Sequence, residues 1–555
     1  MDFDFNTLAE LLFPEVTDTV ADLEARYPER ALPEGARVTR FAPSPTGYLH
    51  IGAFYTALVN LLTSKVSGGI SYLRIEDTDK KREVTDGVSA VVDGFKALGV
   101  RFEEGVTGFG TECGDYGPYT QSLRADIYHT VAKELVKNGL AYPCFCTSEE
   151  LSALREKQEK DGALITGYFG KYAKCRDLSL EDIKANLAAG KPYVLRFRSN
   201  GSEDKRIMFD DLIRGKIEMP ENVIDEVLLK SDGIPTYHFA HVCDDHFMRT
   251  THVIRAEEWL SSVPKHIALF KACGFKVPKY AHVSQVMKLD EEDGNKRKIS
   301  KRKDPEAAVS FFFEAGYPKE SITEYLLTLI NSTFEDWRKV NPKESLDKFP
   351  FNLKKMSPSG CLFDLVKLAD ISKNVISVMD ADTVYALISE WAKQYDEEFY
   401  KVFTRDEARS KAIVNIDRDS PKPRKDIAKW SEVKDYFSYL FDEYYTASLD
   451  EMPENIAAED IKAVLESYSA VYDENDDKDA WFNKLKDLCE PLGFTPNVKE
   501  YKKNPELFKG HVGDVSTVIR IAVTSRRNTP DLCAIMKILG KDEVLKRINN
   551  TIQAL

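Results

Sequence analysis

The fold is decided by a stretch that begins with the run Arg37-Val38-Thr39-Arg40-Phe41-Ala42 and ends with the run Ile70-Ser71-Tyr72-Leu73-Arg74-Ile75. Each run predicts a short β-strand. Between them, Pro43-Ser44-Pro45-Thr46-Gly47 predicts a loop, because two prolines and a glycine do not fit one helix or a central strand. Apolar residues then recur at helical spacing from His50 to about Val66. This order of strand, loop, helix and strand predicts a βαβ unit and therefore a parallel sheet.

The rest of the 555-residue chain predicts a change of architecture part-way along. A mixed segment at about 124–220 predicts an insertion into the sheet domain, and strand-like runs resume at 227–230 and 253–255. Beyond about residue 345, amphipathic helical stretches dominate. We therefore expect an α/β fold with a Rossmann-like parallel sheet in residues 37–345. An all-α region is expected in residues 346–555, and an acidic N-terminal extension in residues 1–36.

The composition excludes several classes of protein. The chain is 43% hydrophobic and 11% aromatic, which is typical of a folded globular protein rather than a disordered one. No apolar run approaches the ~20 residues that a membrane-spanning helix needs. Residues 1–39 carry nine acids and three bases, the reverse of a targeting presequence. The nine cysteines are mostly scattered, which favours a reducing compartment. We expect a cytoplasmic protein that does not enter membranes.

The charge is segregated along the chain, although the net charge is −14. Residues 440–480 contain thirteen acids and two bases, whereas residues 501–555 contain ten bases and five acids. Six of the ten residues at 294–303 are basic and none is acidic. An acidic total with separate basic patches is compatible with a polyanionic partner.

The loop before the first helix is the first candidate site. Parallel sheets bind nucleotides beyond the carboxyl ends of their strands, at loops that lead into helix N-termini. His50 lies near the helix start and can donate to phosphate oxygens. Gly52 has no side chain, so a flat base could lie on the helix backbone. A single His-Ile-Gly would more often be an ordinary helix cap.

The second candidate site is the run Lys298-Ile299-Ser300-Lys301-Arg302, which lies between Gly294 and Asp304-Pro305. These neighbours predict a mobile loop. Two lysines that flank a serine can gather the phosphates of ATP and stabilise a pyrophosphate leaving group. The alternative is a solvated basic loop, which describes most lysine-rich runs.

Together the two sites resemble class I aminoacyl-tRNA synthetases. Further runs are similar to those of bacterial-type glutamyl-tRNA synthetases: Arg74-Ile75-Glu76-Asp77-Thr78-Asp79, Pro235-Thr236-Tyr237-His238-Phe239-Ala240, Asp244-Asp245-His246 and Ile254-Arg255-Ala256-Glu257-Glu258-Trp259. The resemblance is strong over residues 37–310 and weaker beyond. It implies a catalytic sheet domain with an inserted subdomain for the tRNA acceptor end, and a helical region that binds the anticodon.

The resemblance also implies roles for individual residues. Glutamate would be bound by Arg40, Ser44, Glu76, Tyr237, His241 and Arg255. ATP would be bound by His50, Gly52, Glu258, Trp259 and Lys301, and catalysis would involve His50, Lys298, Ser300 and Lys301. Two guanidinium groups suit glutamate because it has two carboxylates. The sequence departs from the family at Tyr55, where many members have arginine, and at His241, where some have asparagine.

Three cysteines are candidate metal ligands, because some members of the family that this chain resembles bind zinc in the insertion. Cys144, Cys146 and Cys175 are present, but Arg176-Asp177 replaces the family's Cys-x-His ending. Tyr172, three residues before Cys175, is the alternative fourth ligand. Three thiols with no clear fourth ligand make a poor closed tetrahedral site. Structural zinc is therefore not expected.

The implied activity is ATP-dependent ligation of L-glutamate to the 3′ end of glutamate tRNA through a glutamyl-adenylate. The implied cofactors are ATP and Mg²⁺, activation is expected to require tRNA, and the protein is expected to be a monomer. Three alternatives compete with it: a glutaminyl-tRNA synthetase, whose rear half is a β-barrel; a queuosine-modifying relative, which lacks the anticodon-binding half; and a non-catalytic tRNA-binding paralogue. Whether glutamine tRNA is also charged stays open.

Overall fold

The computed structural model describes residues 3–45, 47–79, 84, 86–300 and 302–555. The chain forms two compact units. Unit 1 contains residues 1–311 and 326–364, and unit 2 contains residues 312–325 and 365–555. Unit 1 holds the parallel strands, and unit 2 is helical. The α/β fold class expected from the sequence is therefore confirmed.

All strands belong to unit 1. They are β1 (Val38–Phe41), β2 (Ile70–Leu73), β3 (Glu104–Gly108), β4 (Thr111–Cys113), β5 (Ala141–Cys144), β6 (Val194–Phe197), β7 (Arg206–Asp211), β8 (Gly215–Pro220), β9 (Val227–Leu229), β10 (His252–Ala256), β11 (Lys279–Val283), β12 (Val286–Leu289), β13 (Lys296–Lys298) and β14 (Cys361–Leu362).

Two four-stranded sheets form the frame of unit 1, with strand orders β1-β2-β3-β4 and β10-β11-β7-β8. The pairs β1/β2, β2/β3, β10/β11 and β11/β7 are parallel. Thr251 N–H, beside the start of β10, donates to the carbonyl of Val38 on β1 at 3.0 Å. The carboxyl ends of β1 and β10 therefore come to one region. The remaining sheets have strand orders β5-β6-β9 and β13-β12-β14.

The helices of unit 1, including two that continue into unit 2, are α1 (Phe5–Leu12), α2 (Val20–Arg26), α3 (Ile51–Lys65), α4 (Gly87–Ala97), α5 (Ala125–Lys137), α6 (Ser148–Lys160), α7 (Leu180–Ala188), α8 (Tyr237–Phe247), α9 (Val263–Ala272), α10 (Val309–Ala315), α11 (Lys319–Ile330) and α12 (Phe334–Val340). In the described part of the chain, no helix has both the length and the apolar content that crossing a bilayer requires.

The helices of unit 2 are α13 (Leu365–Ser377), α14 (Ala381–Tyr395), α15 (Glu397–Thr404), α16 (Glu407–Asn415), α17 (Val433–Tyr436), α18 (Ala458–Val471), α19 (Lys478–Cys489), α20 (Val498–Lys503), α21 (Val512–Thr524), α22 (Leu532–Leu539) and α23 (Lys541–Ala554). Gly540 separates the last two with a φ of +80°, a backbone conformation that glycine adopts without steric cost. Residues 312–325 and 365–555 are all described, and no strand forms in them.

The N-terminal segment packs against the rest of unit 1. Apolar residues of α1 and α2 and their flanks are buried, including Leu8, Leu12, Leu23 and Tyr27. Arg30 forms a two-bond ion pair with Glu104 at 2.7 and 3.0 Å. Buried apolar side chains and a half-buried bidentate pair stabilise this contact. The expected extension is thus part of the packed unit.

The decisive strand–loop–helix–strand stretch is confirmed. The predicted strand before the loop is β1, the predicted helix is α3 and the predicted strand after it is β2. The run that starts at Lys298 begins at the end of a strand that the sequence did not predict. Lys298 ends β13, which pairs with β12 in an antiparallel ladder, and Ile299 and Ser300 lie outside any helix or strand. That this loop is mobile stays a prediction.

Candidate active site

A cavity of about 580 Å³ opens at the carboxyl ends of β1 and β10. It is lined by the loop after β1, the first turn of α3, the start of α8 and the segment that follows β10. Ten of the residues predicted from the sequence line it: Arg40, Ser44, His50, Gly52, Glu76, Tyr237, Arg255, Glu258, Trp259 and Lys298. Residues more than 200 positions apart in the chain therefore share one site.

His50 caps helix α3. The backbone N–H of Gly52 donates to His50 Nδ1 at 2.9 Å. Because Nδ1 accepts this bond, the proton of the neutral imidazole is on Nε2, where it can be donated to a ligand. A side chain at position 52 would place its Cβ 3.1 Å from Nδ1. Gly52 therefore lets the imidazole fold back over the helix start.

Arg40 is a buried cation whose charge is balanced by Asp245. Its Nε lies 3.3 and 3.2 Å from the two oxygens of that carboxylate, and both side chains are buried. Burial opposes the charge of Arg40, but Asp245 outweighs it and the pKa of the guanidinium is raised. Asp245 is held in turn by Arg74 at 2.7 Å. The pKa of Asp245 lies well below its usual value, because these two arginines outweigh the effect of burial.

Glu76 brings a carboxylate to the cavity wall. Arg74 donates to its Oε1 at 2.9 Å. Burial raises the pKa of Glu76, although Arg74 and Arg40 act in the opposite direction. A buried carboxylate at a cavity wall is a natural partner for a ligand ammonium group.

Arg255 differs from Arg40 because its partners are neutral. It donates to ring nitrogens of His282 at 3.1 Å and His266 at 3.2 Å, and to the carbonyl of Trp259 at 3.2 Å. Its guanidinium also lies 5.2 Å from the ring centre of Tyr280. In the described part of the chain, no carboxylate forms an ion pair with Arg255.

Tyr237 and Trp259 form an aromatic wall of the cavity, with ring centres 4.4 Å apart. Burial raises the pKa of Tyr237, so its hydroxyl stays protonated. His241 was predicted to contact glutamate, but it does not line the cavity. It is fully buried behind Tyr237, with Nδ1 2.9 Å from Asp245 Oδ2.

The lysine-rich run reaches the cavity through its first two residues, Lys298 and Ile299. Lys298 Nζ lies 2.6 Å from Glu258 Oε2, and both side chains are about half exposed. Ser300 does not line the cavity. Its backbone N–H donates to Asp304, which Arg297 holds through two hydrogen bonds. Lys301, predicted to contact the ATP phosphates, lies outside the described residues, as does Thr46.

The three cysteines converge on one point in the segment predicted as an insertion. The sulfur atoms of Cys144, Cys146 and Cys175 lie within 4.8 Å of one another. The Cys146 thiol is 3.3 Å from the hydroxyl of Tyr168, which also accepts the backbone N–H of Cys175 at 2.9 Å. Tyr168, and not Tyr172, therefore supplies the fourth group.

Hydrogen bonds from the two other thiols lower the pKa of Cys144. Three thiolates suit zinc, but a phenol is not among its usual ligands, so the described donor set does not complete a closed tetrahedral site. The expectation that zinc is absent stays a prediction.

Sequence reasoning missed the charged layer beneath the cavity. Asp244 is fully buried and contacts Arg124 at 2.6 Å, Gln121 at 2.8 Å and Tyr128 at 2.9 Å. His266 and His282, which hold Arg255, were also not singled out. The acidic pair 244–245 was visible in the sequence as a motif without a role. Single histidines within apolar runs give no comparable signal.

Two family matches cover most of the chain. Residues 37–369 match the tRNA synthetases class I (E and Q) catalytic domain. Residues 422–552 match an anticodon binding domain.

Curated relatives match over nearly their whole length. The chain is 50% identical over 547 residues to a glutamate–tRNA ligase of Clostridium perfringens. This match covers 98% of this chain and all of the relative. It is 46% identical over 546 residues to a glutamate–tRNA ligase of Acetivibrio thermocellus, with 98% and 99% covered.

A solved structure also matches both units. The crystal structure of a glutamate tRNA ligase from Elizabethkingia meningosepticum in complex with its amino acid is 28% identical to this chain, with a TM-score of 0.75. The match covers 94% of this chain and 99% of that one. These similarities extend the resemblance of the sequence motifs to the whole chain. The chain belongs to the glutamate–tRNA ligase family of class I aminoacyl-tRNA synthetases.

Proposed function

We propose that this chain activates L-glutamate with ATP and transfers it to the 3′ end of glutamate tRNA. One observation carries the assignment of glutamate: Arg255, a buried cation without a carboxylate partner in the described structure, lines the same cavity as the capped start of α3. A buried guanidinium without a counter-ion favours an anionic ligand. A side-chain carboxylate of the substrate would supply that anion.

The polar groups of the cavity fit the two ends of glutamate. Arg255 and Tyr237 would face the side-chain carboxylate. Glu76 would face the ammonium group, and Arg40 would orient the α-carboxylate while Asp245 holds Arg40. A neutral glutamine amide could not balance the charge of Arg255, so the site would favour glutamate.

The ATP end of the cavity would be formed by the start of α3 and by the segment after β10. His50 would donate its Nε2 proton to a phosphate oxygen, and the positive end of the α3 dipole would favour the phosphates. Glu258 and Trp259 would contact the adenosine. Lys298, now paired with Glu258, would be within the same wall, and Lys301 is proposed as the residue that meets the leaving pyrophosphate.

No covalent bond to the protein is required. The α-carboxylate of glutamate attacks the α-phosphorus of ATP, a glutamyl-adenylate forms and pyrophosphate leaves. The 3′-terminal ribose hydroxyl of tRNA then attacks the adenylate and AMP leaves. Mg²⁺ bound to the ATP phosphates would share their negative charge. The protein contributes positioning and fixed charges aimed at the phosphoryl centre.

Unit 2 is proposed to bind the anticodon of tRNA. Arg520 and Arg526 donate to backbone carbonyls of Pro530 and Asp435 at 2.9 and 2.6 Å. Neither forms an ion pair with a described carboxylate. Arginines whose charge is not balanced by acids suit contacts with phosphates and with stacked bases. The absence of strands in residues 312–325 and 365–555 argues against a glutaminyl-tRNA synthetase, whose rear half is a β-barrel.

The central test is aminoacylation of purified glutamate and glutamine tRNAs with labelled glutamate or glutamine and ATP. We expect glutamate to be ligated to glutamate tRNA. Arg255→Gln should lower the ratio of kcat/KM for glutamate over glutamine, because a cation that faces a carboxylate becomes a neutral amide. An unchanged ratio would exclude Arg255 as the residue that selects glutamate. Ligation of glutamate to glutamine tRNA would identify a non-discriminating enzyme.

The role of unit 2 is tested by tRNA binding. Arg526→Gln should weaken tRNA affinity and reduce the dependence of log Kd on log salt concentration by about 0.7–0.9, while the KM values for glutamate and ATP stay unchanged. Arg405→Gln is the matched control, because Arg405 is an exposed arginine of the same unit whose charge is paired with Glu443. Equal affinities for both variants and the wild type would remove Arg526 from the RNA surface.

A further inference from the structure

The environment of Arg255 is built by three adjacent strands. Arg255 on β10 is the register partner of His282 on the parallel strand β11. Asp211 ends β7, the next strand of the same sheet, and pairs with Tyr280 of β11. His266 comes from α9. The sheet therefore places Asp211, His282 and Arg255 in a row, with His266 at a second nitrogen of the guanidinium.

Hydrogen bonding fixes the tautomer of His282. Arginine only donates, so His282 Nε2, 3.1 Å from Arg255 Nε, must carry a lone pair. The ring proton is then on Nδ1, 2.7 Å from Asp211 Oδ2. The same carboxylate oxygen accepts the backbone N–H of His282 at 3.0 Å. Asp211 thus holds the ring in the one tautomer that can accept from Arg255.

His266 is held in the same manner by another histidine. Its Nδ1 lies 3.2 Å from a terminal nitrogen of Arg255 and must accept. Its Nε2 then carries the proton, which His238 Nδ1 accepts at 2.9 Å. Burial keeps the pKa of His266 well below its usual value and lowers that of His238 to about 3. Both rings therefore stay neutral at neutral pH.

We propose that His266 and His282 are positioning residues that orient Arg255 without neutralising it, and that Asp211 acts on Arg255 through the tautomer of His282. This inference rests on the proposed function, because it explains how Arg255 selects a carboxylate. An aspartate in direct contact would hold the guanidinium equally well, as Asp245 does for Arg40, but it would balance the charge that the substrate must balance. The carboxylate of Asp211 is kept one imidazole ring away.

The test compares two replacements of His282. His282→Leu removes the acceptor, whereas His282→Gln retains an acceptor near the position of Nε2. We expect His282→Leu to raise the KM for glutamate at least tenfold and to lower the preference for glutamate over glutamine. The KM for ATP should stay within twofold. His282→Gln should stay within threefold of the wild type for both substrates. Rates are measured by pyrophosphate exchange in the presence of tRNA.

Two further variants separate positioning from folding. His252 is a buried histidine at the start of β10 that does not contact Arg255, so His252→Leu measures the general cost of losing a buried imidazole. It should leave the KM for glutamate within twofold. Asp211→Asn retains the shape of the side chain and removes the charge that fixes His282. Asp211→Asn should raise the KM for glutamate several-fold and leave the KM for ATP unchanged. If His282→Leu does not fold, this variant alone tests the positioning role.

The possible failures are distinguishable. A wild-type chain that does not ligate glutamate to tRNA would overturn the proposed function itself. An active wild type in which both His282→Leu and Asp211→Asn leave the KM for glutamate within twofold would overturn only the positioning role. The positioning role would also be overturned if His282→Leu raised the KM for glutamate and the KM for ATP in parallel and His282→Gln did not restore them. That pattern would indicate a structural role.

Discussion

Two helices, one in each unit, begin with the same His-x-Gly cap. Helix α3 begins within His50-Ile51-Gly52, with His50 as the N-cap, and α21 begins within His511-Val512-Gly513, with His511 as the N-cap. In both, histidine Nδ1 accepts the backbone N–H of the glycine two residues later at 2.9 Å. In both, the missing glycine side chain leaves room for the imidazole. The His-x-Gly pattern is therefore a helix cap first, and a cap alone does not identify a catalytic site.

The two helix starts differ one residue further along. In α21, Asp514 accepts the backbone N–H of His511 at 2.8 Å and completes a capping box. In α3 the corresponding residue is Ala53, and the first turn contains no acid. The carboxylate of Asp514 balances the positive end of the α21 dipole. The start of α3 has no such acid, so its positive end is available to an anionic ligand. His50, Gly52 and Ala53 line the cavity.

The largest effect is expected from His50→Asn. Asparagine is a good N-cap, so α3 should keep its first-turn acceptor and the free energy of unfolding should change little. The variant loses the Nε2 donor to the phosphate. Removal of one preorganised donor costs about 2.7–4 kcal/mol in the transition state, so kcat/KM for glutamate activation should fall about 100- to 1,000-fold.

The matched control is His511→Asn, which makes the same substitution at the His-x-Gly helix cap that lies outside the cavity. We expect its activation rate to stay within about threefold of the wild type. If both variants lose activity equally, His50 contributes only a helix cap, and the start of α3 has no role in activation that the start of α21 lacks.

A smaller effect is expected from Ala53→Asp, which gives α3 the acid that α21 has. The new carboxylate would complete a capping box but would face the phosphates of ATP. We expect the KM for ATP to rise about tenfold, which corresponds to about 1.4 kcal/mol, while the unfolding midpoint rises slightly. Ala53→Asn, which has the same size without the charge, should leave the KM within threefold. A KM for ATP that is the same in both variants would mean that the α3 start does not meet phosphate.

The smallest effect is expected from Asp514→Ala, which makes α21 resemble α3. Loss of the capping-box acceptor should lower the free energy of unfolding by about 1 kcal/mol. The KM values for glutamate and ATP should not change. Urea unfolding, followed by circular dichroism, measures the stability, and Asp514→Asn should recover part of it because the amide oxygen still accepts. A changed KM for ATP would contradict the assignment of this helix to a purely structural role.

Short motifs with strong local rules were predicted correctly: β1, the helix after His50 and β2 lie where the pattern placed them. The strand at Lys296–Lys298 was missed because a lysine-rich run carries no local signal for a strand, and its pairing with β12 is a tertiary contact. His241 was assigned to the substrate from the family resemblance, which does not show which way a side chain of α8 faces, and in the structure its imidazole contacts Asp245.

The sequence by itself determined the α/β and helical units, the family resemblance and ten of the residues that line the cavity, because these depend on local periodicity and on motifs whose residue types are fixed by chemistry. Only the tertiary structure decided which charges are balanced. Arg40 and Arg255 look alike in the sequence, yet Asp245 of helix α8 contacts Arg40, whereas strand register brings the neutral His282 to Arg255. A side chain's electrostatic role depends on partners brought from distant parts of the chain, and one-dimensional spacing does not specify those partners.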